Sequence, residues 1–179
     1  MLKKILIYNS GGGLGDAIQL FPLILSLKNH FKSSDFYYLG AHKNHFIGKL
    51  KNYNIEIKTL DLRLQYFGFR WWHLLKAKSK FLELNMEKFD LTIDLQSKLR
   101  NTLILKRIPS VNFYSSTFNY NFCSSKKNYL SNNNISQKTI LNLEKLLDVN
   151  IQKVDFSLDN LDQIYINEAK KLLPGSNYI

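Results

Sequence analysis

Ile7-Tyr8-Asn9-Ser10-Gly11-Gly12-Gly13-Leu14-Gly15-Asp16-Ala17 is the stretch on which the fold of this chain turns. Just upstream, Ile5-Leu6-Ile7-Tyr8 is an unbroken apolar run, the pattern of a strand covered on both faces. Downstream, helical periodicity over 16–31 sets Ile18, Phe21, Leu25 and Phe31 toward a core, and Pro22 inside it predicts a kink or a restart. A strand that runs through glycines into a helix leaves backbone N–H groups bare at a helix N-terminus, a place that suits phosphate or another anion. The glycine spacing is not the dinucleotide fingerprint. Counted from Gly11 the third glycine position holds Asp16, and counted from Gly13 it holds Ile18. That failed spacing disfavours a nicotinamide-dependent oxidoreductase, and the Gly-Lys-Ser/Thr of a P-loop is missing as well.

Asp16 sharpens the reading. In the first turn of a helix an aspartate is by default a cap or a dipole partner. Here it also sets a carboxylate where an anion would otherwise dock, which suits a site that handles a hydroxyl, because a positioned carboxylate accepts a proton from an attacking alcohol.

Outward from this unit, strands and helices alternate. Residues 35–39 and 55–60 read as the second and third strands, with a short helical stretch at 44–51 between them. Residues 61–72 are aromatic and irregular, and 73–87 read as a helix. A fourth strand covers 91–95, a helix 97–107 ends before Pro109, and a fifth strand covers 110–114. Residues 115–136 are polar and Asn-rich, and helical periodicity returns at 140–147 and 161–173. The fold class is therefore α/β: a Rossmann-like, mostly parallel sheet with helices on both faces, right-handed crossovers, and a ligand at the carboxyl ends of the strands. Residues 1–173 form one such domain. Pro174-Gly175 makes a turn and 174–179 read as the start of a linker into a further domain, so the chain is expected to end at a domain boundary inside a longer protein.

Composition agrees with one globular domain: 179 residues, 45% hydrophobic, 22% charged, with 24 aromatic side chains. The run after Lys3-Lys4 stops at Asn9, too short for a signal-peptide core, and no apolar run of membrane-spanning length follows. The single Cys123 excludes an internal disulfide, which points to a reducing, cytoplasmic location. The net charge of +11 calls for an anionic partner. The lysines are scattered, with Lys76, Lys78 and Lys80 at alternate positions, and no Arg-rich arm or RNA-binding aromatic signature occurs, so nucleic acid is not expected.

Two motifs together carry a family resemblance. Gly12-Gly13-Leu14-Gly15-Asp16 after the first strand, with Phe21-Pro22-Leu23 in the next helix, resembles the N-terminal half of glycosyltransferase family 9, the heptosyltransferases of lipopolysaccharide synthesis. Phe89-Asp90-Leu91-Thr92-Ile93-Asp94-Leu95-Gln96-Ser97-Lys98-Leu99-Arg100 resembles the family's strand of the form FDLVIDLQG and the helix that follows it. The resemblance implies the N-terminal, acceptor-side domain of a GT-B enzyme, which moves a heptose-like sugar, with inversion, from a nucleotide-sugar of the ADP-heptose type to an anionic lipopolysaccharide-type glycolipid. The donor would be held mainly by a second domain, and residues 1–179 alone are expected to be inactive. Asp16 would be the general base. Gly12, Gly13 and Gly15 would let the backbone approach the sugar, and Gln96, Lys98 and Arg100 would lie on the acceptor side. Arg63 and Arg70 match an acceptor-facing loop. The resemblance implies no metal and no cofactor, and it places the protein in the cytoplasm, peripheral at the inner membrane. Ser97 stands where the family usually has Gly, and Gln137 and Leu141 where it often has His and Arg. The alternative is a non-catalytic anion- or saccharide-binding module.

Other candidates read as structural. His42 and His45 have ligand-like spacing without a third partner, and read as surface residues. Trp71 and Trp72 read as core and interface anchors, Asp94 as a strand-end group bonded to backbone, and Cys123 as unreactive. Asp155, Asp159 and Asp162 read as caps of the last helix.

Overall fold

The computed structural model describes residues 2–11, 13–40, 44–53, 55–131 and 134–154, together with Asn167 and Lys171. Five strands, β1 (Lys4–Tyr8), β2 (Asp35–Leu39), β3 (Lys58–Thr59), β4 (Phe89–Asp94) and β5 (Ser110–Ser115), form one sheet in the order β3-β2-β1-β4-β5. Each neighbouring pair is parallel. The expected α/β architecture is what the chain adopts, with the order reversing between β1 and β4.

Among the described residues, the two faces are covered by the helices α1 (Leu14–Gln19), α2 (Phe21–His30), α3 (His73–Leu82), α4 (Leu99–Leu105) and α5 (Ile135–Leu147). Alternation along β1 explains the layering. Ile5 and Ile7 join α1, α2 and α5 in one core, with Phe21, Ile24, Leu27, Ile140 and Leu143. Leu6 and Tyr8 point the other way, into a core with Ala77 and Phe81 of α3 and Ile104 and Leu105 of α4. The four apolar side chains of β1, Ile5, Leu6, Ile7 and Tyr8, are fully buried, each worth roughly 1.5–3 kcal/mol relative to an exposed position.

Pro22 restarts the first helix. Helix α1 stops at Gln19, Leu20 makes the turn, and α2 begins at Phe21 with Pro22 in its first turn, where a missing N–H removes no helical bond. The inward face shifts accordingly, to Ala17, Leu20, Phe21, Leu23, Ile24 and Leu27, with Ile18 and Leu25 only half-buried.

Several expectations differ in extent. The third strand pairs only at Lys58 and Thr59, opposite Tyr37 and Tyr38, as the short edge of the sheet. In place of one helix over 44–51 there are two 3-10 turns, His45–Ile47 and Lys51–Tyr53. Helix α3 ends at Leu82, since Asn85 takes a left-handed φ of 50°. Helix α4 starts at Leu99 because Ser97 has φ 53°, outside helical space. Helix α5 starts five residues before the expected 140, with Asn134 Oδ1 accepting from Gln137 N at 2.9 Å as its cap. Trp71 and Trp72 are not in the core: they are 57% and 42% exposed. The last expected helix, residues 174–179, Asp155, Asp159, Asp162, Gly12 and His42 lie outside the described residues, apart from Asn167 and Lys171, which are helical and exposed. No helix among the described residues is long and apolar enough to cross a membrane.

Candidate active site

The carboxyl ends of β1 and β4 meet where the strand order reverses, the place at which open α/β sheets hold ligands. Asn9 follows β1 there and Gln96 follows β4. Gln96 Nε2 donates to Asn9 Oδ1 at 2.6 Å, and Gly11 N donates to the same oxygen at 3.0 Å. Asn9 thus ties both strand ends to the glycine loop. Asn9, Gly11, Asp16, Gln19, Leu20, Gln96 and Ile135 line a cavity of about 280 Å³.

Asp16 stands at its mouth. It is exposed, and its Oδ2 accepts from Gly13 N at 3.3 Å, closing the first turn of α1 as a cap would. The same oxygen would stand 2.6 Å from a Cβ at Gly11 and 3.3 Å from one at Gly13. These two glycines are therefore room for the carboxylate. A Cβ at Gly15 would meet nothing within 4 Å, which leaves that backbone open to approach. Tyr38 lies beneath: its hydroxyl donates to Asn9 O at 3.3 Å, and burial, then the charge of Asp16, push its pKa up to about 12. Ser136 Oγ bonds Gln19 O, which holds the start of α5 against the end of α1 and brings Ile135 to the cavity wall.

The basic candidates occupy a different place. Arg63, Arg70, Lys98 and Arg100 do not line this cavity. Arg63 and Arg70 are exposed on the 61–72 loop, and Lys98 is exposed at the N-cap of α4. Arg100 is half-buried; its Nε donates to Gly68 O at 2.9 Å and its guanidinium stands 5.9 Å from the Phe69 ring. It fastens the loop to α4. A buried network completes the fastening. Tyr8 Oη donates to Phe67 O at 3.1 Å, Asn101 Nδ2 donates to Tyr8 Oη at 2.9 Å, and Gly68 N donates to His73 Nδ1 at 3.2 Å. Burial, with Arg70 and Arg100 nearby, holds the His73 pKa below its ordinary value, so the ring stays neutral and accepts that bond.

Asp94 is a strand-end group, as expected, though a busier one. Its Oδ1 accepts from Gln96 N at 3.0 Å, and its Oδ2 accepts from Thr102 Oγ1 at 2.5 Å and Ser115 Oγ at 2.9 Å. Burial raises its pKa against those bonds. Burial likewise raises that of Cys123, which opposes thiolate chemistry. Among the described residues no three His, Cys, Asp or Glu side chains converge as metal ligands do. A larger cavity, about 400 Å³, lies by Lys28, Asp35, Ile55 and Lys58, toward the amino end of β2 and away from the strand ends that bind ligands in this architecture. Of the residues lining this cavity, the sequence pointed to Asp16 and Gln96 as candidates but not to Asn9, whose signal was a polar residue between an apolar strand and glycines, nor to Ile135, which carries no local signal.

A parallel sheet of order 3-2-1-4-5 with helices on both faces is a Rossmann-like α/β fold, and Asp16 stands near its switch point. No family model matches the chain, and no curated protein sequence is significantly similar to it. Solved structures share its fold. E. coli heptosyltransferase WaaC with ADP matches 88% of this chain with 51% of its own, at a TM-score of 0.56 and 14% identity. The same enzyme with ADP-2-deoxy-2-fluoro heptose matches equally. The family 9 glycosyl transferase of Veillonella parvula DSM 2008 matches 94% of this chain with 48% of its own, at a TM-score of 0.56 and 19% identity. The likeness is one of fold, and the chain spans about half the length of these structures.

Proposed function

We propose that the chain is the acceptor-side part of a glycosyltransferase, with Asp16 as general base. The observation that carries this reading is the exposed Asp16 carboxylate at a cavity on the switch point, in a fold shared with enzymes seen with ADP and an ADP-heptose analogue. An acceptor hydroxyl entering beside Gly15 gives its proton to Asp16. The oxygen forms a bond to the anomeric carbon while the bond from that carbon to the donor phosphate breaks, so the nucleoside diphosphate leaves on the opposite face and the configuration inverts. Gly13 N–H holds the carboxylate in place, and Gln96 is held beside it through Asn9. Arg63, Arg70 and Lys98 supply charge for a phosphorylated or carboxylated glycolipid of the lipopolysaccharide type. A heptose-like nucleotide-sugar is the donor and is bound mainly outside this domain, at the cytoplasmic face of the inner membrane.

The test is Asp16→Asn in the full-length native protein, assayed with ADP-heptose and an anionic core glycolipid. The carboxamide keeps the shape and removes the base, so turnover falls by roughly 10²–10⁴ with little change in KM. Undiminished turnover overturns the role of Asp16. Saccharide binding without transfer by the unaltered protein leaves the binding-module reading standing.

A further inference from the structure

Two side-chain amides in the wall of the Asp16 cavity are oriented by a donor that cannot turn. Gly11 N only donates, so the Asn9 atom it meets at 3.0 Å is the carbonyl oxygen Oδ1. Gln96 meets that same oxygen at 2.6 Å, and must do so with its amino end, Nε2. Two polar groups are left over. Among the described residues, Asn9 Nδ2 has nothing to donate to and Gln96 Oε1 nothing to accept from. Asn9 is only 5% exposed and lines the cavity, and its Nδ2 is not one of the fully buried unpaired atoms. Solvent therefore reaches it from the cavity.

A free donor beside a free acceptor selects among ligands. A hydroxyl satisfies both at once, since it accepts and donates. A phosphate or carboxylate only accepts, and would meet Gln96 Oε1 and the Asp16 carboxylate with nothing to give. No Lys or Arg lines the cavity to offset that repulsion. An ammonium group would pair with Asp16 and leave Asn9 Nδ2 unmet. Leu20 and Ile135 offer an apolar wall to the C–H face of a sugar ring. A Cβ on Gly11 would stand 2.6 Å from Asp16 Oδ2 and 3.1 Å from Asn9 Oδ1. Both side chains thus crowd one point, within reach of neighbouring hydroxyls on a single ring.

We propose that this cavity takes an uncharged vicinal diol of a sugar ring, with one hydroxyl on Asp16 and its neighbour held between Asn9 Nδ2 and Gln96 Oε1. Any phosphate or carboxylate on the same ligand lies outside the cavity, where Arg63, Arg70 and Lys98 stand. The proposal rests on the acceptor reading above and narrows it: Asn9 and Gln96 select a neutral ring for presentation to Asp16.

The side-chain amide resonances of Asn9 and Gln96 in the isotopically labelled chain read this binding directly. The probes are the methyl pyranosides of glucose, galactose, mannose and a heptose, their monodeoxy forms, the uronic acids of the three hexoses, and inorganic phosphate. At least one neutral glycoside shifts both amides. Removing a hydroxyl of its diol weakens binding about tenfold, and the uronic acids and phosphate bind roughly tenfold more weakly or worse. Asn9→Asp keeps an oxygen for Gly11 N and Gln96 Nε2 but removes the donor, and Gln96→Met removes the acceptor. Each weakens binding about tenfold while the amides of the sheet stay in place. No shift at the two amides with any neutral glycoside overturns the proposal. So does a uronic acid or phosphate that binds there as tightly as the neutral ring, or full affinity in either variant or in every deoxy form. The deoxy series alters only the ligand, so it decides the matter should a variant unfold. Lost turnover in Asp16→Asn beside a chain blind to neutral glycosides leaves the base standing and this proposal fallen. Undiminished turnover in Asp16→Asn beside diol binding does the reverse.

Discussion

Replacing Gly68 by Ala should loosen the 61–72 loop, and the structure sets the size of the effect. Gly68 has φ +90°, where an L-residue is disfavoured by about 1–2 kcal/mol. A Cβ there would also stand 2.1 Å from Tyr8 Oη and 3.2 Å from Asn101 Cγ and Nδ2. Tyr8 is fully buried and packs edge-on to Phe67 at 5.6 Å, so its hydroxyl yields only by giving up its bonds to Phe67 O and Asn101. Each lost bond costs roughly 1 kcal/mol, and more if the partner is left buried and unpaired. The sum is about 3–5 kcal/mol, against a total stability of about 5–15 kcal/mol for a domain. Tyr8→Phe alone loses the two bonds, about 1–3 kcal/mol. In the double variant the clash is gone and the bonds are lost only once, so the effects fall short of additive by about 2 kcal/mol. Urea unfolding of the four proteins measures this cycle. A loss below about 1 kcal/mol for Gly68→Ala, or additive effects, would refute the reasoning.

Two further outcomes follow from the same coordinates. Because His73 is buried with a lowered pKa, the unfolded chain takes up its proton first as pH falls below about 6.5. Stability present above that pH is therefore lost on the way down to the folded pKa, with a slope of up to about 1.4 kcal/mol per pH unit. Urea unfolding between pH 7.5 and 5 reads it, and a His73 contribution that grows on acidification would contradict it. Ser97→Gly relieves a residue at φ 53° and gives up its contact with Ser116. The two effects nearly cancel, so stability changes by no more than about 1 kcal/mol in either direction, while Ser97→Val loses more than that. Equal melting temperatures for the glycine and valine variants would sink this account of why glycine belongs there.

The parts of this fold that were legible in the sequence are the ones set by short-range pattern. Ile5–Tyr8 is apolar throughout because β1 is covered on both sides, and the glycines after it mark the turn to α1. β2 and β4 followed from the same physics. The start of α5 was not legible, since it depends on the Asn134 cap and on a bond from Ser136 to Gln19, 117 positions away. Trp71 and Trp72 were expected as core and interface anchors, since size and hydrophobicity favour burial on average, yet both stand exposed, which rules out the core half of that expectation. At the site, Asp16 was readable from its place after the glycines. Asn9 and Ile135 join it only through folding. Arg100 was readable as a cation, but its bond to Gly68 O, which makes it a fastening for the loop, required the tertiary structure.

The central claim is that acceptor meets the domain at the Asp16 cavity. Titrating the isotopically labelled chain with a soluble anionic lipopolysaccharide-core oligosaccharide, and following backbone amide resonances, tests it most directly. The account predicts shifts concentrated at Gly11, Gly13, Gly15, Asp16 and Gln96, with smaller ones at Arg63 and Arg70, and a loss of the cavity shifts in Asp16→Ala. Shifts gathered instead around Lys28, Asp35 and Lys58, or left unchanged in Asp16→Ala, would contradict it.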